Sequence, residues 1–303
     1  MWYICFFLSL LLAPLVPGII NKTKAFYAGR YGPRLLQRYY DIVKLLKKGT
    51  VRSTTSTWVL ALAPSISLAA TLTAALFMPF AVYKSPVSFE GDIIVFFYLL
   101  AAGRVALIFG ALDTGSAFEG MGASREAQFS ALCESIVFGV IAFIILLTGR
   151  LSLSTSLIGL DFTAWSQTGT SLALVAVAFF AALLAENSRV PFDDPETHLE
   201  LTMIHEAMVL DNSGPDFAFI QYASALKLWL MISFIVLLIL PLKATSPIVS
   251  GLLFFGGVFV ISVIIGIVES VIARFRLLKI PQVFAGALAL TLIAIMIYMV
   301  FEI

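Results

Sequence analysis

Cysteine and histidine are nearly missing from this 303-residue chain, which has two of each: Cys5 and Cys133, His198 and His205. An iron–sulfur cluster usually takes four Cys ligands, and a structural zinc site takes four closely spaced Cys or His, so neither is expected. Both cysteines lie in apolar segments far apart in sequence and read as buried hydrophobes. On a helix, the seven-residue spacing of His198 and His205 separates them by about 10 Å of rise, too far to share a metal. Charge is scarce too. Only 12% of residues are charged and the net charge is +1, whereas binding a nucleic-acid backbone needs clustered excess Lys and Arg. The expectation is a chain with no metal, no cofactor of its own and no nucleic-acid partner.

Apolar residues are abundant, at 60% of the sequence, far above the soluble range. Runs long enough to cross a bilayer fall at roughly 2–20, 58–83, 93–112, 130–149, 165–185, 217–242, 248–273 and 283–302. The first run has no Lys or Arg before it and is long enough to span, so it reads as an uncleaved first helix. Fourteen Lys or Arg lie in the odd-numbered connections, nine of them in the first, against Lys84, Arg150 and Lys243 in the even ones. By the positive-inside rule the odd connections face the cytoplasm and both termini lie outside. With no internal repeat and no low-complexity linker, 1–303 is expected to be one all-α, polytopic membrane domain of about eight spans.

The first connection is long and basic. From Leu35 to Leu46 its apolar residues recur at helical spacing among Arg38, Lys44, Lys47 and Lys48, the pattern of an amphipathic interfacial helix. Gly32-Pro33 places a turn before it. The segment fits a basic lipid-facing orientation signal and equally a docking platform for a soluble partner.

Four ionisable residues fall inside the spans: Arg104, Glu134, Lys227 and Glu269. A charge at the bilayer centre costs on the order of 3 kcal/mol, so such groups face a wet cavity or a partner. Arg104 and Lys227 are expected to snorkel or to form a buried ion pair. Glu269 is expected to pair with Arg274. Glu134, a turn inside the cytoplasmic end of span four, is a candidate proton relay.

Chemistry concentrates between Ala185 and Gly214, where acidic and histidine side chains crowd into thirty residues with one arginine, Arg189. Asp194 before Pro195 reads as an N-cap with proline at the first helical position, opening a second amphipathic helix in the fifth connection. Glu196 and Glu200 would share one face of that helix, with His198 and His205 near the opposite face. Helix capping by Asp193 or Glu196 explains some of these acids but not Glu186, Arg189 and Glu200 together. A row of carboxylates from a span end into an interfacial helix makes a proton inlet, with Arg189 tuning it.

The run Arg189, Pro191, Phe192, Asp193, Pro195, Glu196, Glu200, Leu201 and then Ser213-Gly214 resembles the loop of membrane subunit 1 of respiratory complex I, the NADH–quinone oxidoreductase. Arg30, Gly32, Pro33, Leu36, Gln37, Asp41 and Lys44-Leu45-Leu46 match that family's first loop. Within the superfamily, Ala111–Phe118 (ALDTGSAF), Gly122–Ala127 (GASREA) and Arg104 resemble the membrane subunit of formate hydrogenlyase and group 4 membrane-bound [NiFe] hydrogenases. Asn212 stands where complex I subunits have a tyrosine, and the interval from Glu200 to the Ser-Gly pair is longer. Both departures bear on quinone binding, because that loop helps line the quinone cavity in complex I.

The resemblance implies a membrane anchor and coupling subunit in the plasma (inner) membrane of a prokaryote. Its implied partners are hydrogenase large and small subunits, an iron–sulfur subunit and antiporter-like membrane subunits. The [NiFe] centre and the iron–sulfur clusters would sit in those partners. The implied coupling residues are Glu134, Glu186, Arg189, Asp193, Glu196 and Glu200. The implied docking surface is Arg30, Gly32, Pro33, Arg34, Gln37, Arg38, Asp41 and Lys44. The alternative is the quinone-site subunit of a complex I-type enzyme. A stand-alone transporter finds no inverted repeat to support it.

Overall fold

A proline, Pro14, breaks the first apolar run. The computed structural model describes residues 2–193, 203–242 and 246–302, and its first run is two helices, α1 (Trp2–Leu12) and α2 (Leu15–Tyr27), bent by 47°. Pro14 has no N–H to offer the Leu10 carbonyl one turn back. Tyr222 fills the gap, its hydroxyl donating to Leu10 O at 3.0 Å, and the Tyr39 hydroxyl donates to the Leu11 carbonyl. In a bilayer an unpaired carbonyl costs several kcal/mol, so these tyrosines make the bend tolerable.

The first connection carries α3 (Gln37–Leu46), which starts two residues later than its apolar period predicts. Long helices follow: α4 (Trp58–Phe77), α5 (Asp92–Asp113) and α6 (Ala117–Thr148). After a short α7 (Leu153–Ile158) come α8 (Phe162–Glu186), a one-turn α9 (His205–Met208), α10 (Gly214–Ile239), α11 (Pro247–Val271) and α12 (Ile280–Ile297). Among the described residues seven helices are long and apolar enough to cross a membrane; with the bent α1/α2 pair counted as one span there are eight. No strand occurs among the described residues. The chain is therefore a multi-pass, all-α membrane protein. The amphipathic helix expected after Asp194 in the fifth connection lies outside the described residues, as do Glu196, His198 and Glu200.

Helix α10 is the axis of the bundle: 78% of its apolar window is buried, against 22% for the span Leu277–Phe301. Trp229 and Phe234 on α10 are fully buried, as are Phe96 on α5, Phe143 on α6 and Phe179 on α8. Phe179 and Phe234 pack with ring centroids 4.5 Å apart.

The first connection folds back over the bundle. A Cβ on Gly18 would stand 2.2 Å from the Leu35 carbonyl oxygen, so only glycine lets the loop cross α2 there. At its far end the loop is clasped to the start of α10. Val51 N–H donates to Ser213 Oγ and Ser213 Oγ–H to Val51 O, both at 2.9 Å, and Arg52 pairs with Asp216 at 2.8 Å. Gly214, at φ +55, has the Gly49 carbonyl oxygen 2.6 Å from where a Cβ would be, which closes the clasp to any larger residue.

The opposite end of the bundle is stapled by neutral donors around Asp92. Its carboxylate accepts from Phe89 N–H at 3.2 Å, Ser152 Oγ at 3.1 Å and Leu153 N–H. Ser85 and Ser154 hydroxyls add a contact at 2.6 Å beside it.

Candidate functional site

Three ionisable side chains from three spans meet where α8 ends. Glu186 closes α8, Arg104 lies past the middle of α5 and Lys227 halfway along α10. Arg104 Nη2 stands 2.8 Å and Lys227 Nζ 2.9 Å from Glu186 Oε2. Lys227 also donates to the Glu186 carbonyl at 2.6 Å, satisfying one of the oxygens that a helix end leaves free. All three side chains are nearly buried. Of the two sequence expectations for Arg104 and Lys227, the structure shows the ion pair rather than snorkelling. Two cations on one carboxylate leave a net positive charge in a low-dielectric place, which calls for a further anion nearby.

A further carboxyl group, Glu126, lies beside them. It is buried on α6 and within electrostatic reach of Arg104, Lys227 and His205. A cavity beside it is lined by Arg104, Glu126, Glu186, Lys227, His205 and Ser224, with Ser67 and Thr71 from α4. On the other side of Arg104 and Glu186, a narrower and mostly apolar cavity between α5 and α6 is lined by Glu134, Tyr98 and Phe138. The structure thus brings Glu134 to the same centre as Glu186. It does so because α6 begins at Ala117, thirteen residues before the start read from hydropathy, so Glu134 sits mid-helix and not at a span end.

A second charged group lies towards the first connection. Ser188, at φ +50, turns the chain after α8 and aims Arg189 at α11. There Arg189 Nη1 is 3.6 Å from Glu269 Oε1, and Lys24 Nζ on α2 is 3.3 Å from Glu269 Oε2. This corrects one expectation: Glu269 pairs with Lys24 and Arg189 in place of Arg274. Arg274 is taken by Asp193, with 3.5 Å between Nη2 and Oδ1. Asp193 Oδ2 also accepts from the Ile204 and His205 N–H groups at 3.2 and 3.1 Å. Beside it, buried Phe192 stacks on Phe284 with centroids 5.1 Å apart, anchoring the Pro-Phe-Asp turn.

The stretch 203–213 is pressed against α6. Gly122 makes room, since a Cβ there would meet Ile204 O at 2.9 Å, and buried Glu119 accepts the Asp211 N–H at 2.9 Å. Glu119, Glu126 and Cys133 recur every seven residues on one face of α6. Sequence reasoning missed the two acids, because the run's charges and small residues resemble a loop; the seven-residue period is the signal that could have found them.

The docking residues divide. Arg30, Gly32, Pro33, Arg34 and Lys44 are exposed, and Gln37 and Asp41 are partly so, joined by a 2.9 Å hydrogen bond. A cleft of about 430 Å³ runs between Lys24, Arg30, Gly32, Pro33 and Glu269. Arg38 turns inward to a cavity it shares with Arg189, His205 and Glu206. Burial, and then the Arg189 charge beside it, push the Arg38 guanidinium down from its ordinary range. Burial likewise raises the neighbouring Tyr39 phenol. Among the described residues no three His, Cys, Asp or Glu side chains group as a metal site.

Residues 1–300 match the family described as NADH dehydrogenase. The chain belongs to that family. Hydrogenase-4 component C of Escherichia coli (strain K12) is 33% identical over 280 residues, covering 90% of this chain and 87% of the relative. Formate hydrogenlyase subunit 4 of the same organism is 31% identical over 278 residues, 89% of each. One subunit of the NADH-quinone oxidoreductase of Rubrobacter xylanophilus is 27% identical over 222 residues, 71% of this chain and 66% of that one. Among solved structures, a chain of the membrane-bound sulfane sulfur reductase, an archaeal respiratory membrane complex, shares the fold: TM-score 0.82 over 97% of both chains, at 19% identity.

Proposed function

We propose that this protein is the membrane anchor and coupling subunit of an energy-converting complex of the [NiFe]-hydrogenase or formate hydrogenlyase type. Two relatives above 30% identity over about nine-tenths of this chain, Hydrogenase-4 component C and formate hydrogenlyase subunit 4, support that branch. In this reading the redox chemistry belongs to partners: hydrogenase large and small subunits and an iron–sulfur subunit on the first-loop side, antiporter-like subunits in the membrane. The basic first-loop end is cytoplasmic by the positive-inside rule, and exposed Arg30, Arg34 and Lys44 offer the charged surface on which a soluble arm docks.

The observation that carries the proposal is Glu186 held between Arg104 and Lys227, with water-sized cavities on both sides. Titratable groups continue from it in both directions, to Glu134 on one side and through Glu126 to Arg189, Glu269 and Lys24 on the other. A carboxylate between two cations is bistable: a charge change in a neighbouring subunit redistributes the pairs and shifts the affinity for an ion. Arg38 joins docking to this line, since its helix α3 carries exposed Lys44 while Arg38 itself reaches the Arg189 cavity. The test is Glu186→Gln in the assembled complex: electron transfer persists and coupled ion transport fails. Normal transport per electron rejects the proposal.

One observation favours the quinone-site alternative. An apolar groove of about 370 Å³ runs between α1, α3 and α10, lined by Phe7, Leu11, Ile42, Val43, Tyr39 and Tyr222, and would take an isoprenoid tail. Both tyrosine hydroxyls are already engaged with backbone carbonyls, leaving the groove without a free head-group ligand of that kind. Photolabelling of these residues by a quinone analogue would favour this alternative.

A further inference from the structure

The cavity around Glu186 and the cavity around Arg38 are neighbours, and three residues line both: His205, Ser224 and Ile220. On the inner side of this wall lie Glu126, Glu186 and Lys227. On the outer side lie Arg38, Arg189 and Glu206. Each cavity offers space of about 40 Å³ for water, room for about three molecules. Of the three shared residues, isoleucine moves no proton and a serine hydroxyl is too weak an acid to store one. Imidazole alone both binds and releases a proton near neutral pH.

The backbone is arranged to keep His205 in the wall. Its N–H is held by Asp193 Oδ2 at 3.1 Å, the neighbouring Ile204 N–H by the same oxygen, and Asp193 is itself paired with Arg274. Gly122 lets this segment seat directly on α6, the helix that carries Glu126. Among the described residues, the other charged side chains lining the two cavities are Glu126 on α6, Arg104 on α5, Glu186 on α8, Lys227 on α10, Arg38 on α3, and Arg189 and Glu206 at the level of His205. Glu206 thus stands on the outer side, and Glu126 and Glu186 on the inner.

We propose that His205 is the proton-transfer residue between the two cavities. It rests on the coupling function proposed above and names the ion as a proton at this point. A hydronium in the outer cavity protonates one ring nitrogen and is left as water, and the imidazolium releases the proton of its other nitrogen to the Glu126 carboxylate. One proton crosses, the ring is left as the opposite tautomer, and rotation about the side chain restores the start. No oxidant or reductant is consumed.

The test uses the whole purified complex in liposomes, comparing wild type, His205→Gln, His205→Ala and Glu186→Gln for turnover and for protons moved per electron. His205→Gln is expected to turn over electrons while proton transport falls about tenfold or more, within the usual contribution of a positioned proton-transfer group. Added imidazole is expected to restore transport to His205→Ala and not to Glu186→Gln. His205→Gln with wild-type protons per electron overturns the proposal. So does failure of imidazole to rescue an assembled His205→Ala complex, or transport carried by sodium alone. If Glu186→Gln loses transport and His205→Gln keeps it, only the role of His205 fails. If both keep it, the coupling function itself fails. Should His205→Gln not assemble, His205→Ala with and without imidazole decides alone.

Discussion

Asp92 and Glu186 are both buried carboxylates in this membrane bundle, at opposite ends of it, and their surroundings differ in kind. Asp92 is satisfied by two backbone N–H groups and a serine hydroxyl. Those donors cannot leave with a proton, so the group is a staple between α5 and the start of α7. Glu186 is satisfied by two cations that also lie within electrostatic reach of Glu126, and it borders cavities that admit water. Burial of an acid therefore does not identify a functional site here. The partner chemistry does, because a fixed neutral donor stabilises one state, whereas cations shared with a second carboxyl group and water permit two.

Substitutions at the two ends should separate these roles. The largest effect is expected from Glu186→Gln, which leaves Arg104 and Lys227 without their anion: coupled transport falls by about tenfold or more, measured as ions moved per electron. Retained stoichiometry would dissolve the contrast. Next comes Glu269→Gln, which removes the carboxylate charge that Lys24 and Arg189 share. It should lower transport by a smaller factor and also loosen the first connection, read as faster proteolysis between residues 28 and 36.

At the far end Asp92→Asn keeps one acceptor oxygen but turns an NH2 group towards donors. It should cost about 1–3 kcal/mol of stability, seen as a lower thermal midpoint of the purified complex, with ions per electron unchanged. A change in stoichiometry there would show that Asp92 is more than a staple. The smallest effect is expected from Ser213→Ala, which removes the two Ser213–Val51 hydrogen bonds of the clasp for about 1 kcal/mol. Hydrogen exchange at Val51 should rise, with α10 unaffected.

Hydropathy alone makes the spans legible, because a bilayer demands about 20 apolar residues in a row and little else satisfies it. The amphipathic α3 is legible for a similar reason, since its period is local. The start of α6 is not, because Ala117–Phe129 mixes charges with small residues. That segment is helical because it packs on the 203–213 stretch and needs no lipid-facing surface there. Glu186 stands out as an acid at a span end, but its partners do not: Arg104 and Lys227 come from spans separated by long stretches of sequence. The same distance hides the Glu269–Lys24 pair, where the nearby Arg274 is the natural guess and Asp193 has already claimed it. Charge pattern puts Arg38 among the docking residues, and only packing of α3 on α10 turns it inward. His205 gives no signal beyond its rarity, and its place in the wall between two cavities depends entirely on how the loop folds back.

Most direct for the central claim is the number of ions moved per electron by the intact complex carrying Glu186→Gln, set beside Asp92→Asn in the same liposome preparation. The account predicts a complex that turns over electrons with ion movement nearly abolished for Glu186→Gln and normal for Asp92→Asn. Equal and undiminished stoichiometry in both would contradict it.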